Sequence, residues 1–390
     1  MSTVYIFNHP NATKLIPSSR EEILANEPIL LALDQNFDFE SLRGYIEDNL
    51  QDFRNQQSNV SNGAQPHDKQ HIADEQCDAD ILSPLQPNQA IKSKYARANA
   101  GRPSYDPVLM FKIVLLKTAF ALSDNKVVRA IKDRRSFQVF LGIDESVVPD
   151  PKTVWKYHNL FVSSRLFQLL FAKASEYIQE LKIVKESDSL GVDSSFTLVP
   201  IQRNTREENK LIKEGFGDTL WNDNPAKKRQ KDTDAAWTQK GGQRYFGYKI
   251  HACVCLVSKL IKSVVTTPAC VHDSQVISPL ITDSDAGKYL YADSAYSGQK
   301  QLSEIVNSNL IPAVCEKGRR NNPLTNEQKE SNRQKSKIRA RVEHVFGRLA
   351  HFGADEIRTI GIKRADAHHH LVAFFYNTMQ LINLGIKIKF

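Results

Sequence analysis

The chain has 390 residues, 41% of them hydrophobic and 25% charged, the profile of a folded protein of about two or three domains. The longest apolar run, Val108–Leu122, is broken by Lys112 and Lys117, and the first thirty residues hold no basic start followed by an apolar core. A membrane span and a secretory signal are therefore not expected, and the expected location is the cytoplasm. Net charge is +8, but residues 1–90 carry 5 Lys/Arg against 14 Asp/Glu while the rest carry 47 against 30. A basic body with an acidic arm points to a polyanionic partner for the body.

Residues 1–100 give the weakest pattern. Asp34–Phe53 spaces its apolar residues as a short helix, and 54–100, rich in Gln, Asn, Ser, Asp and Pro, reads as a linker. The whole stretch is expected to be a poorly ordered acidic region. Order resumes at GRPSYDP, where Asp106 caps a helix beginning at Pro107 and running to about Leu122. Val127, Val128 and Ile131 mark a short second helix, and Pro151 opens another, Lys152–Phe161, with Lys152 and Lys156 one turn apart. Short helices, tight turns and cations on the last helix suggest a helix-turn-helix-like DNA-binding domain over 101–185, including a longer amphipathic helix at 164–184. A plain helical domain with solvated lysines is the simpler alternative.

From about Ser187 the period changes from helical to alternating. SLGVDSSFTLV is a strand containing Asp193, and the polar segment 202–244 reads as a surface loop or insertion. GYKIHACVCLV and LIKSVVTT form a hairpin, a helix is expected from Asp273, and KYLYADSAYSG is a strand ending at Asp293. A helix at 299–306, the strand LIPAVC, a helix over Lys335–Leu349 and an apolar last helix, Leu371–Leu384, preceded by His368, His369 and His370, complete the chain. Five cysteines (Cys77, Cys253, Cys255, Cys270, Cys315) include no CxxC pair, so neither a zinc site nor a disulfide framework is expected.

The order strand, hairpin, helix, strand, helix, strand, helix is mixed α/β. It is the order of a ribonuclease-H-like mixed sheet, here over 186–390, in which the first and fourth strands lie side by side and bring Asp193 next to Asp293. In KSKIRARVEHVFGRL the apolar stripe is Ile338, Val342, Val345, Phe346 and Leu349; Glu343 lies beside it, Arg339 one turn before, and Gly347 one turn after leaves open space. An ordinary surface ion pair is the plain reading of Glu343 and Arg339. Three converging carboxylates would need a cation between them, and hard oxygen donors suit Mg²⁺ or Mn²⁺. Two such ions can clamp a phosphodiester. DNA contacts are expected from Lys152, Lys156, Lys249, Lys337, Arg339, Arg341 and Arg348.

Over residues 95–385 the chain resembles the DDE transposases of the bacterial insertion-sequence-five family. GRPSYDPVLMFKIVLLKTAFALSD and PDPKTVWKYHNLF resemble that family's helical N-terminal domain; LGVDSSF, QRYFGYKIH, VVTTPACVHDSQ, YLYADSAYSG and IRARVEHVFGRL resemble its catalytic motifs in order. The resemblance implies a metal-binding catalytic triad of Asp193, Asp293 and Glu343, with Arg339 as the Arg of the signature around the Glu. It implies cleavage of double-stranded DNA at the element's ends and joining of the 3′-hydroxyls to target DNA by two-metal chemistry, by a homodimer or larger assembly associated with the nucleoid. His272 and Asp273 match a His-Asp pair that serves either as a helix cap or in catalysis. Ser336 and Ala350 depart from the Tyr and Lys of related signatures, which puts one terminal-DNA contact in doubt, with Arg348 as a substitute. A catalytically inactive or domesticated DNA-binding regulator, and a nuclease without strand transfer, are the alternatives.

Overall fold

The computed structural model describes residues 19–63, 104–320 and 322–390. They fall into two compact units, one running up to Leu160 and taking in Ile382–Lys389, the other comprising Phe161–Leu381 and Phe390. Beyond Gly63 the expected linker lies outside the described residues.

Helices build the first unit: α1 (Arg20–Leu24), α2 (Pro28–Asn36), α3 (Arg43–Gly63), α4 (Pro107–Ala119), α5 (Asp124–Asp133), α6 (Arg135–Leu141) and the start of α7 (Pro151–Ser163). Asp106 caps α4 as its sequence predicts, accepting from the Leu109 N–H, and α4 is buried on nearly every side. The acidic stretch is more structured than its composition suggested, since helices occupy 20–63 and not 34–53 alone. Three arginines absorb its charge. Arg20 forks onto Asp34, Arg43 bridges Glu40, Glu47 and Asp106, and Arg134 reaches Glu27. Phe39 then packs edge-on against Phe140 at 5.7 Å. Net charge misjudged this region because the acids are paired locally and the apolar residues keep helical spacing.

The second unit opens with α8 (Leu166–Glu180) and builds one mixed sheet from β1 (Leu190–Leu198), β2 (Ala236–Lys240), β3 (Gln243–Cys255), β4 (Ile261–Pro268), β5 (Tyr289–Ala292) and β6 (Ile311–Val314). The order is β2-β3-β1-β5-β6, with β4 paired to β3. β1 is antiparallel to β3 and parallel to β5, which is parallel to β6. Five more helices complete the unit: α9 (Arg206–Lys213), α10 (Pro225–Lys228), α11 (Gln299–Asn307), α12 (Asn326–His351) and α13 (Ile362–Asn383).

Three expectations shift. The polar segment 202–244 is not plain loop: it carries α9, α10 and β2, whose burial falls steadily from Ala236 to Lys240 and so shows no alternation. The helix expected from Asp273 is two single 3₁₀ turns, Asp273–Gln275 and Ser278–Leu280, because Pro279 has no N–H to continue a helix. α12 starts at Asn326, not Lys335, on a capping box of Thr325 and Gln328; its first turns bear no apolar stripe, and Ile338 stays 37% exposed.

Polar networks fix the unit. Asp232, buried, accepts from the Tyr248 hydroxyl at 2.7 Å and from the Asp234, Ala235 and Gly361 N–H groups. Asp234 accepts from the Ile362 N–H, so two carboxylates face the N-terminus of α13, where the helix dipole favours them. His369 of α13 is fully buried and joins Thr197 of β1 to Thr266 of β4, each at 2.8 Å from a ring nitrogen.

Candidate active site

β1 and β5 pair in parallel with Leu190 opposite Leu290 and Gly191 opposite Tyr291. Two residues further on, Asp193 lies within β1 and Asp293 just past the end of β5, close enough for the Asp293 charge to act on Asp193. Asp293 leaves β5 as the cap of a 3₁₀ turn, accepting from the Ala295 N–H at 2.8 Å. α12 lies over β1 and β5. Its Val342 fits against Gly191, where a Cβ would come within 2.5 Å of Val342 Cγ2 and 2.7 Å of Leu256 Cδ2. That close approach seats α12, and with it the neighbouring Glu343, over this part of the sheet.

Arg339 joins the pieces. Its Nη1 donates to Asp193 Oδ2 and its Nη2 to Glu343 Oε1 at 2.8 Å. Asp193 and Arg339 keep 19% and 17% side-chain exposure, while Glu343 keeps 57%. Burial raises the proton affinity of Asp193, against which the Ser194 N–H and the Arg339 charge act to lower it; the Asp293 charge raises it further. Asp273 hydrogen-bonds Ser194 and forms a buried ion pair with Lys249 at 2.7 Å. Burial opposes ionisation of Asp273, but Lys249 and Ser194 outweigh it and leave the carboxyl below its usual range.

Tyr296 escaped the sequence reading. It is 1% exposed, its hydroxyl has no hydrogen-bond partner among the described residues, and burial with the charges of Asp273, Asp193 and Asp293 raises its pKa. The signal was present in YADSAY, since a residue three past Asp293 in one 3₁₀ turn lies on the same side. His272 caps the Asp273–Gln275 turn through the Ser274 N–H.

The expected DNA contacts divide. Lys337 and Arg348 are exposed on α12; Arg341 is exposed and also donates to the Leu256 carbonyl at 2.9 Å. Lys249 is 7% exposed, held by Asp273 and the Val271 carbonyl. On α7, Lys152 is exposed and Lys156 partly so, flanking Trp155, itself 46% exposed.

Among the described residues no three His, Cys, Asp or Glu side chains are grouped tightly enough to hold a metal ion. Asp193 and Glu343 instead share the Arg339 guanidinium. The donor set nevertheless fits a hard cation. Two neighbouring carboxylates, Asp193 and Asp293, lie near an orphaned buried phenol, and a guanidinium already joins Asp193 to a third on the exposed Glu343. Gly347 beside Glu343 leaves open space.

A mixed α/β sheet together with a helical N-terminal region fits a DDE transposase. Residues 192–378 match the family model of the transposase DDE domain, and residues 66–160 match that of a transposase domain (DUF772). The two matches support a DDE transposase, a class whose substrates are DNA, and DDE transposase domains generally use divalent metal ions. Asp193, Asp293 and Glu343 all lie inside the first match. No solved structure matches the chain. Among the described residues no helix is long and apolar enough to cross a membrane.

Proposed function

We propose that the chain is an insertion-sequence-five-type transposase with a ribonuclease-H-like catalytic domain over 186–390 and DNA-docking helices in 101–185. It cuts the ends of its element and joins them to target DNA, acting in the cytoplasm on the nucleoid as a dimer or larger assembly. One observation carries this reading: Asp193 within β1 and Asp293 just past the end of the parallel neighbour β5 lie close together, while Glu343 reaches the same guanidinium as Asp193 from the helix above.

Asp193, Asp293 and Glu343 would hold two divalent ions, Mg²⁺ or Mn²⁺. Bound there, the pair would activate the attacking oxygen and neutralise charge on the leaving one. In the first step a water oxygen bonds to phosphorus and the 3′-oxygen leaves, giving a free 3′-hydroxyl at the element's end. In the second, that hydroxyl bonds to a target phosphorus, loses its proton, and displaces the target's own 3′-oxygen. Lys337, Arg341 and Arg348, exposed on α12, and Lys152 and Lys156 on α7 would hold the DNA backbone. Lys249 acts at one remove, fixing Asp273 beside Ser194.

The test is cleavage and joining of end-containing DNA with Mg²⁺ against EDTA. Asp193→Asn, Asp293→Asn and Glu343→Gln should each lower cleavage by at least about a thousandfold, several kcal/mol at 1.36 kcal/mol per tenfold, while end binding survives in a gel shift. Wild-type cleavage in any of the three removes that residue from the site.

A further inference from the structure

Arg339 is placed unlike the exposed cations of its helix. Lys337, Arg341 and Arg348 are exposed, whereas the Arg339 side chain keeps 17% exposure and its Nε is buried with no hydrogen-bond partner among the described residues. Its fork spends one Nη on Asp193 and the other on Glu343, joining the central strand to the helix above it. While the fork lies between them it occupies Asp193 Oδ2 and Glu343 Oε1, the two oxygens through which an ion placed between these carboxylates would bridge them. A guanidinium suits such a place because it is always charged, weakly hydrated and matched to carboxylate geometry.

We propose that Arg339 is a positioning residue that stands in for the divalent cation. It holds Asp193 and Glu343 together in the metal-free protein and surrenders both when the cation binds. The inference rests on the metal-dependent reading above. The released fork keeps its N–H donors for a phosphodiester oxygen, so DNA and cation favour the same displaced state and each tightens the other's binding. A cation that must first evict the fork binds with an affinity reduced by the fraction of molecules in which the fork is already out.

Mn²⁺ binding by the full-length protein, followed by electron paramagnetic resonance without DNA, separates the possibilities. If the fork is in place in nine molecules of ten, Arg339→Gln should bind Mn²⁺ about tenfold more tightly than wild type, with Arg339→Lys between them. The gain should vanish in Arg339→Gln combined with Asp193→Asn. Binding that needs Asp193 yet is unchanged or weaker in both Arg339 variants overturns the stand-in role and leaves the metal-dependent reading intact. Binding absent from every form, or indifferent to Asp193, overturns both. Wild-type protein gives a check that needs no folded variant: the Arg339 Nε–H resonance should shift on saturation with Mg²⁺, and an unmoved resonance overturns the proposal.

Discussion

Two acidic clusters share the second unit and are wired in opposite ways. At Asp232 four donors converge on one buried carboxylate, and Asp234 beside it caps the same helix, α13. At Asp193 the carboxylate is also buried, but burial raises its proton affinity, Tyr296 beside it has an unsatisfied hydroxyl, and a single arginine holds it to Glu343. The first arrangement spends its charge on holding the chain. The second keeps unmet polar capacity in one place, which costs stability and is the mark of a site built for something it must bind.

Exchanging the acids breaks the comparison most sharply. Asp193→Asn should cost at least about a thousandfold in cleavage yet shift unfolding by no more than about 1 kcal/mol, because losing the Arg339 contact is offset by relief of a buried charge. Asp232→Ala should cost about 3 kcal/mol, since it strands the Tyr248 hydroxyl and the Asp234, Ala235 and Gly361 N–H groups. Urea unfolding of both variants, read beside the cleavage assay, checks the pair. If Asp193→Asn is the less stable of the two, the two clusters do not differ as described.

Acid should separate them next. Burial lowers His251 to about 4 and holds His369 well below its usual range. Unfolded histidines protonate near pH ~6.5, so between there and about 4 the unfolded chain binds protons that the folded chain refuses. This contribution is complete above pH ~6.5 and is lost as the pH falls, to the extent of about 2–3 kcal/mol for His251. Asp193 works the other way, because its raised proton affinity makes the folded chain take up a proton first and acid relieves its burial. Urea midpoints from pH 7.5 to 4.5 should therefore fall in wild type, and fall further in Asp193→Asn. A midpoint independent of pH in Asp193→Asn, where that opposing effect is gone, would mean that the histidines are not held neutral by burial.

How much of this the sequence disclosed depends on how local each cause is. Asp293 ends an alternating run and Asp193 lies inside another, and the strand order, read as that of a ribonuclease-H-like sheet, predicts that the two strands are neighbours. Glu343 and Arg339 are one helical turn apart, so their pairing was legible too. The contact between Arg339 and Asp193 spans 146 positions and leaves no periodic trace, which is why Arg339 read as a DNA contact. Lys249 misled for the same reason: its partner Asp273 lies across a turn whose course the pattern of VHDSQ did not define. Asp232 and His369 were invisible as structural anchors because polar residues in loops and on an apolar helix become partners only after the chain has folded.

The smallest effect probes the seam between strand and helix. Gly191 has an ordinary backbone conformation, so its role is space and not flexibility: a Cβ there meets Val342 Cγ2 at 2.5 Å and Leu256 Cδ2 at 2.7 Å. Val342 is β-branched and fully buried, with little rotameric freedom to retreat, so Gly191→Ala should push α12 outward by a few tenths of an ångström at a cost of about 1–2 kcal/mol. Cleavage should fall more than stability predicts, because the displaced segment carries Glu343 and Arg339 while Asp193 stays on its strand. Val342→Ala removes the methyl in the way and should restore part of both losses when combined with Gly191→Ala, giving a positive coupling in a double-mutant cycle. Strict additivity of the two substitutions, in urea midpoints and in cleavage rate, would mean that the helix is seated elsewhere and that Gly191 does not set the height of Glu343 above the sheet.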